Sequence, residues 1–318
     1  MKRRDVIVLL ALSAAPRLAL AQPKTATIGV LVTGNRDPAL FLNALASEMG
    51  KLGYSEGKNL RTIVPSRLHD ASALPALAAG LVNERVDVIV TWLTPAVRAA
   101  KQATSTIPIV MAGAGDPVAT GIVSSLAQPG GNITGVGSAT SELVAKNIEL
   151  LRELLPKARK LAALANEGDL FTATFVDQSK LAASRQGFEL AVKTIRASGD
   201  LPSAFTELKD GGIEAVIVQP SLPVKRCAEL AAAAGMPSTS PIESYVTDGG
   251  LLAYANRTAD HYRLAATYVD RILRGTAPRD LPIQLPTNFE LRFNLRTARA
   301  IGLTVQPALL ARADDVIE

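Results

Sequence analysis

The residues able to do chemistry in this chain fall where apolar runs of strand length stop. Thr94-Pro95 follows the run Val86–Thr91, and Ser221 follows Ala215–Gln219. A hydroxyl at such a place caps a helix start, and proline is pre-set for the first helical turn. The open N–H groups of a helix start also suit a carboxylate or another anion. Capping and anion binding therefore both fit Thr94 and Ser221. Trp92, the only tryptophan, ends a strand run and either stacks on a flat ligand or packs beneath the loop. Asp116, in Gly113-Ala-Gly-Asp-Pro117, either offers a carboxylate to a ligand ammonium or bonds its own backbone in an Asp-Pro turn. Glu243 holds the comparable place in the second half and carries the same two readings. Asn35, Asn166, Gln219 and Tyr245 complete a polar lining. These nine are ligand-binding candidates, and no residue is read as catalytic or metal-binding.

Enzyme signatures fail on inspection. Gly113-Ala-Gly115 has Val118 where a dinucleotide fingerprint needs its third glycine, and it follows the fourth strand run, not the first. No GxxxxGK[ST] phosphate loop and no GxSxG elbow is present. His69 and His261 lack metal-ligand spacing or a cysteine partner and read as solvated surface histidines. Cys227, the only cysteine, lies among Ala228, Leu230 and Ala231 on a predicted helix and reads as an inert core thiol. No cofactor is expected.

The elements that must carry these residues alternate almost throughout. Strand runs at Thr27–Thr33, Leu60–Pro65, Val86–Thr91 and Ile107–Ala112 are separated by helical segments. One helical face carries Leu40, Phe41, Ala44, Leu45, Met49 and Leu52, closed by Gly53. Leu74, Leu77, Ala78, Leu81 and Val82 fit the i, i+3, i+4, i+7, i+8 pattern. The second half repeats the order, with strands at Lys160–Ala165, Ala215–Gln219 and Met236–Thr239. Its helices are predicted over Val144–Leu155, Phe175–Ala191 and Lys225–Ala234. Val86–Thr94 overlays Ile213–Ser221 residue by residue, and each is followed by a helix and then by Ile107-Pro108 or Met236-Pro237. Such alternation predicts α/β architecture: two doubly wound parallel-sheet lobes, one unit used twice. Ligands of open α/β sheets bind beyond the carboxyl ends of the strands. Two facing lobes therefore predict an interlobe cleft that closes on a hinge.

The first 21 residues read as a cleaved signal peptide. Lys2, Arg3 and Arg4 are basic, Val6–Ala15 is a short apolar run, and Ala19-Leu20-Ala21 gives the small-x-small cleavage pattern. No lipobox cysteine precedes the cleavage site, so a periplasmic protein beginning at Gln22 is expected. Removing residues 1–21 takes away four basic side chains and one acidic one, leaving 30 basic against 28 acidic in 297 residues. The formal charge thus falls from +5 to +2, with no clustered basic stripe to attract nucleic acid.

The segment Ile107-Pro-Ile-Val-Met-Ala-Gly-Ala-Gly-Asp-Pro-Val118 closely resembles the bacterial ABC transporter substrate-binding family that includes tryptophan- and tyrosine-binding members. The resemblance continues through Gly121–Gly135, with its Pro129-Gly-Gly-Asn132 turn, and returns at Gly249–Tyr254, Leu281–Thr287 and Asn294–Leu303. It implies a type I periplasmic-binding-protein fold with three crossovers between its lobes. The implied N-terminal lobe comprises 22–137 and 254–285, and the C-terminal lobe 138–253 and 286–318. It also implies delivery of a small organic ligand, an amino acid or aromatic compound, to an ABC permease with its ATPase on the cytoplasmic side. A monomer is expected. Two places depart from the family pattern. Val64-Pro-Ser-Arg67 replaces an acidic-aromatic run, and the bulky Trp92-Leu93 stands where relatives carry a glycine.

The alternative reading is a sensor that presents its ligand to a membrane kinase or chemoreceptor. A lobe-fold transcription regulator would need a helix-turn-helix ahead of the first strand, where the signal stands. A hydrolase would have to use Asp116 and Glu243 as its carboxylate pair.

Overall fold

The computed structural model describes residues 25–33, 38–66 and 71–318. The expected signal peptide, Asn35 and His69 lie outside the described residues. The first lobe is built in the order β1 (Ala26–Val32), α1 (Pro38–Lys51), β2 (Leu60–Ile63), α2 (Leu74–Asn83), β3 (Val88–Trp92), α3 (Thr94–Ala103), β4 (Ile109–Gly115) and β5 (Ile133–Ser138). Its sheet runs β2-β1-β3-β4-β5 and is parallel throughout. Strands covered by helices on both faces need apolar residues at every position, not at alternate ones. β3 and β4 accordingly bury every residue.

The second lobe continues with α4 (Thr140–Leu154), β6 (Lys160–Asn166), α5 (Thr172–Arg185), β7 (Glu189–Ile195), α6 (Leu201–Asp210), β8 (Ala215–Val218), α7 (Val224–Ala233), β9 (Ser238–Thr239), α8 (Ser244–Thr247) and β10 (Leu252–Asn256). Next come α9 (Thr258–Leu273), β11 (Phe289–Asn294), α10 (Leu295–Ala300), α11 (Pro307–Leu310) and β12 (Asp315–Ile317). The second sheet runs β12-β11-β10-β9-β8-β6-β7, with only the β10–β11 pair antiparallel. The segment β7-β6-β8-β9-β10 repeats the order β2-β1-β3-β4-β5 position for position. β3 and β8, overlaid on sequence, are the third strands of their respective sheets. This is the two-lobed α/β architecture expected from the alternation.

The structure adds three particulars to the sequence reading, and the first has a plain physical cause. The predicted helix Phe175–Ala191 ends at Arg185, and Glu189–Ile195 is the edge strand β7. Gly187 takes φ +69°; its N–H donates to Ser184 O at 3.1 Å, and that of Phe188 donates to Ala183 O at 2.9 Å. That bond pair is a glycine-terminated helix end, and the apolar residues beyond it belong to a strand. Helix α6, Leu201–Asp210, is an element the sequence reading left out. Finally, β10 stays in the second sheet through Asn256. The chain leaves that sheet after Asn256 and enters α9 at Thr258. It also changes sheet between Ser138 and Thr140 and again over 285–288. α9 packs on α1, β3, β4 and β5 of the first lobe, although β10 before it and β11 after it lie in the second sheet.

Candidate ligand-binding cleft

The loops that follow β3 and β4 face the loops that follow β6, β8 and β9. Between them lies a cavity of about 540 Å³ of empty space, counted with its open mouth. Its floor is made at the crossovers by Ser138, Thr140, Asn256 and Thr258.

The first-lobe wall is aromatic. Trp92 is buried, with its ring 5.9 Å from Phe41, 5.4 Å from Tyr262 and 5.7 Å, edge-on, from His261. Leu93 beside it sits at φ +66°, ψ 159°, a region favourable only to glycine. It is held there because its N–H donates to Gly113 O at 2.9 Å. Thr94 Oγ accepts the N–H of Gly115 at 3.2 Å, leaving the hydroxyl proton for the cavity.

The second-lobe wall is a polar network around a buried acid. Gln219 Oε1 accepts the N–H of Asn166 at 2.8 Å and the Thr172 hydroxyl at 3.1 Å. Its Nε2 donates to Asp169 Oδ2 at 2.9 Å. Asp169 Oδ1 accepts the N–H of Phe171 at 3.0 Å. Asn166 Nδ2 donates to Ser221 O and Oγ, each at 3.3 Å. Burial pushes the Asp169 carboxyl above the usual range. Hydrogen bonds from Ser221, Phe171 N–H and Gln219, with the charge of Arg98, pull it part of the way back. Among the described residues no Lys or Arg forms an ion pair with Asp169, and none lines the cavity. The cavity thus joins an unpaired buried carboxylate to an apolar, aromatic wall. Such a site suits a ligand with a cationic group and a flat or apolar body.

Known proteins carry the same architecture. The model of the ABC transporter substrate binding protein family matches residues 40–317. The chain belongs to that family. It is 27% identical over 272 residues to the tyrosine-binding protein of Clostridioides difficile, covering 83% of this chain and 75% of that protein. The crystal structure of a conserved domain protein from Vibrio cholerae superposes with a TM-score of 0.84 at 29% identity, covering 92% of this chain and all of that one. The ABC domain from Streptococcus pneumoniae, solved in complex with L-Trp, superposes with a TM-score of 0.83 at 22% identity over 92% of this chain and 100% of that one.

In this substrate-binding protein, five of the nine expected site residues line one cavity: Trp92, Thr94, Gln219, Ser221 and Glu243. Their roles differ from the expected ones. The N-cap of α3 is Leu93, one residue before Thr94, and the N-cap of α7 is Pro223, two residues beyond Ser221. Neither hydroxyl is a cap. Glu243 is already engaged: it pairs with Arg292 at 2.9 Å, and its Oε2 accepts the N–H of Thr258, at the start of α9, at 2.6 Å. It ties the second lobe to the first residue of a first-lobe helix.

Three others stand off the cavity. Asp116 is half-buried at φ +34°; its carboxylate accepts the Ser141 hydroxyl and its carbonyl accepts the N–H of Thr120 at 3.0 Å. The carboxylate is thus engaged by a residue 25 positions away, neither by its own turn nor at the cavity, which Glu243 lines and Asp116 does not. Tyr245 is fully buried in the second-lobe core, its ring against Gly250. Asn166 acts one step back, orienting Ser221.

His261 corrects a second expectation. It is buried on the cavity wall with Nδ1 3.3 Å from Arg257 O, not solvated. Its place on the apolar face of α9, with Tyr262, Ala265 and Val269, was visible as helical spacing. Asp169 and Phe171 were missed as well. Their only signal is position, a Gly168-Asp169 pair in the loop that follows the strand run Lys160–Ala165.

Proposed function

We propose that this chain captures an amino acid with an apolar or aromatic side chain in the interlobe cleft and delivers it to an ABC permease. The observation that carries this reading is Asp169, a buried carboxylate with no ion-pair partner among the described residues, facing the Trp92 wall. Asp169 receives the α-ammonium group. The α-carboxylate takes N–H and hydroxyl donors at the starts of α3 and α4, where Thr94 and Thr140 line the cavity and the helix ends carry partial positive charge. The binding specificities in the names of the tyrosine-binding relative and the L-Trp complex are of the same chemical class. On this reading the protein is an extracytoplasmic, monomeric receptor without catalysis or cofactor. Its lobe division is 25–138 with 258–284 against 140–256 with 289–318. A thermal-shift screen of the twenty L-amino acids, followed by calorimetry, tests it. L-tyrosine, L-tryptophan or another apolar amino acid should stabilise the protein. Stabilisation by none of them, or by decarboxylated amines only, overturns it.

A further inference from the structure

The glycines of Gly113-Ala-Gly-Asp-Pro117 stand against rings. Gly113, at the β4 bulge, faces Trp92 and His261 of its own lobe. Gly115 is different, because the ring on it comes from the other lobe. A Cβ at position 115 would stand 2.9 Å from Phe171 Cγ, closer than real Cβ atoms pack, and 3.0 and 3.1 Å from its two Cδ atoms, tighter than most of them pack. Phe171 is buried in the second-lobe core beside Phe175, with ring centres 6.3 Å apart, and directly precedes α5. Its ring therefore spans the cleft and rests on bare backbone at the end of a first-lobe strand. The same residue holds the Asp169 carboxylate in place, since its N–H donates to Asp169 Oδ1 at 3.0 Å. Arg98 of α3 acts on that loop from the first lobe through its charge.

We propose that Phe171 and Gly115 form a cross-cleft latch, in which seating the ring on the glycine completes lobe closure and sets the loop that aims Asp169. Phe171 is thus a positioning residue, and Gly115 is glycine to leave the ring its seat. The latch rests on the reading of the cleft as a closing ligand site, but not on which ligand it takes.

Two experiments decide it. In the double variant Gly115→Cys/Phe171→Cys the two Cβ atoms meet at disulfide range, because Phe171 Cβ is one bond beyond a Cγ that lies 2.9 Å from the first. Cys227 does not compete, being buried with its thiol pushed up to about 12. Copper-phenanthroline oxidation of the ligand-free protein should give a 115–171 disulfide, read by peptide mass spectrometry. A folded double variant that forms none overturns the latch. The second experiment is a cycle of Gly115→Ala, Phe171→Ala and the double variant, read as affinity for L-tyrosine and L-tryptophan. Gly115→Ala should weaken binding about tenfold or more in the parent and leave it within about twofold in the Phe171→Ala background. Equal losses in both backgrounds, or none in either, overturn the latch. If neither amino acid binds the parent, the ligand reading fails and the disulfide still decides the latch.

Discussion

At the scale of single residues, the cleft turns on what each polar group already bonds. Asp169→Asn should weaken binding of an amino acid by roughly ten- to a hundredfold, the effect of losing a hydrogen bond to a charged group worth about 1.5–3 kcal/mol. Calorimetry on the variant checks this. The pH dependence has two opposite signs. The Asp169 carboxyl is held above its ordinary value of 3.8, so the folded protein binds its proton more readily than the unfolded chain does. Ligand-free stability should therefore rise as pH falls through that raised pKa. Affinity for an ammonium ligand should fall over the same window, and both effects should disappear in Asp169→Asn. Leu93 gives a test of strain. Leu93→Gly removes a large side chain from a glycine-only conformation that costs about 1–3 kcal/mol. Its melting temperature should match or exceed the parent's, where an ordinary large-to-small change would lower it. Trp92 is anchored by Phe41, Tyr262 and His261, so Trp92→Ala should cost about 3–5 kcal/mol of stability by chemical denaturation. Thr94→Val, by contrast, should weaken binding with little loss of stability.

At the scale of elements, helix ends decide what the strands present. The close of α5 rests on Gly187 at φ +69°. A side chain there meets the left-handed penalty of about 1–2 kcal/mol. Gly187→Ala should lower stability by about that amount, and faster amide exchange should appear first in β7, the edge strand it feeds. Glu243, Arg292, Glu290 and Arg257 form a chain of ion pairs at 2.9, 2.7 and 2.8 Å beside the start of α9. That chain ties a cavity residue to a crossover. Glu243, expected as a ligand carboxylate, thus lines the cavity with an ion pair already made to Arg292, 49 residues away in sequence.

At the scale of the molecule, two copies of one sheet order place their strand ends face to face, and closure is the property that follows. A ligand at a hundred times its dissociation constant should raise unfolding stability by about 2.7 kcal/mol. Small-angle scattering should show compaction on binding in the parent and less in Gly115→Ala. Cys227, with its thiol pushed up to about 12 inside α7, should resist alkylation in the native protein and react only after unfolding.

Much of this was legible in the order of residues. Strands covered on both faces must be apolar at every position and helices on one stripe only, so alternation exposed both lobes. The Val86–Thr94 and Ile213–Ser221 overlay located two of the five facing loops, because a repeated strand carries its trailing loop to an equivalent place. Sequence also contained the Gly187 stop, although the apolar residues beyond it suit helix and strand alike. What only the tertiary structure decided is which polar groups are already satisfied. Asp116, Glu243 and Asp169 are alike as carboxylates after strand ends. Ser141 engages the first and Arg292 the second, while the third is buried with hydrogen bonds from Gln219 and Phe171 but no ion pair among the described residues. Partners that distant along the chain leave no local signal. The same is true of Gly115, whose reason for being glycine is a ring from the opposite lobe.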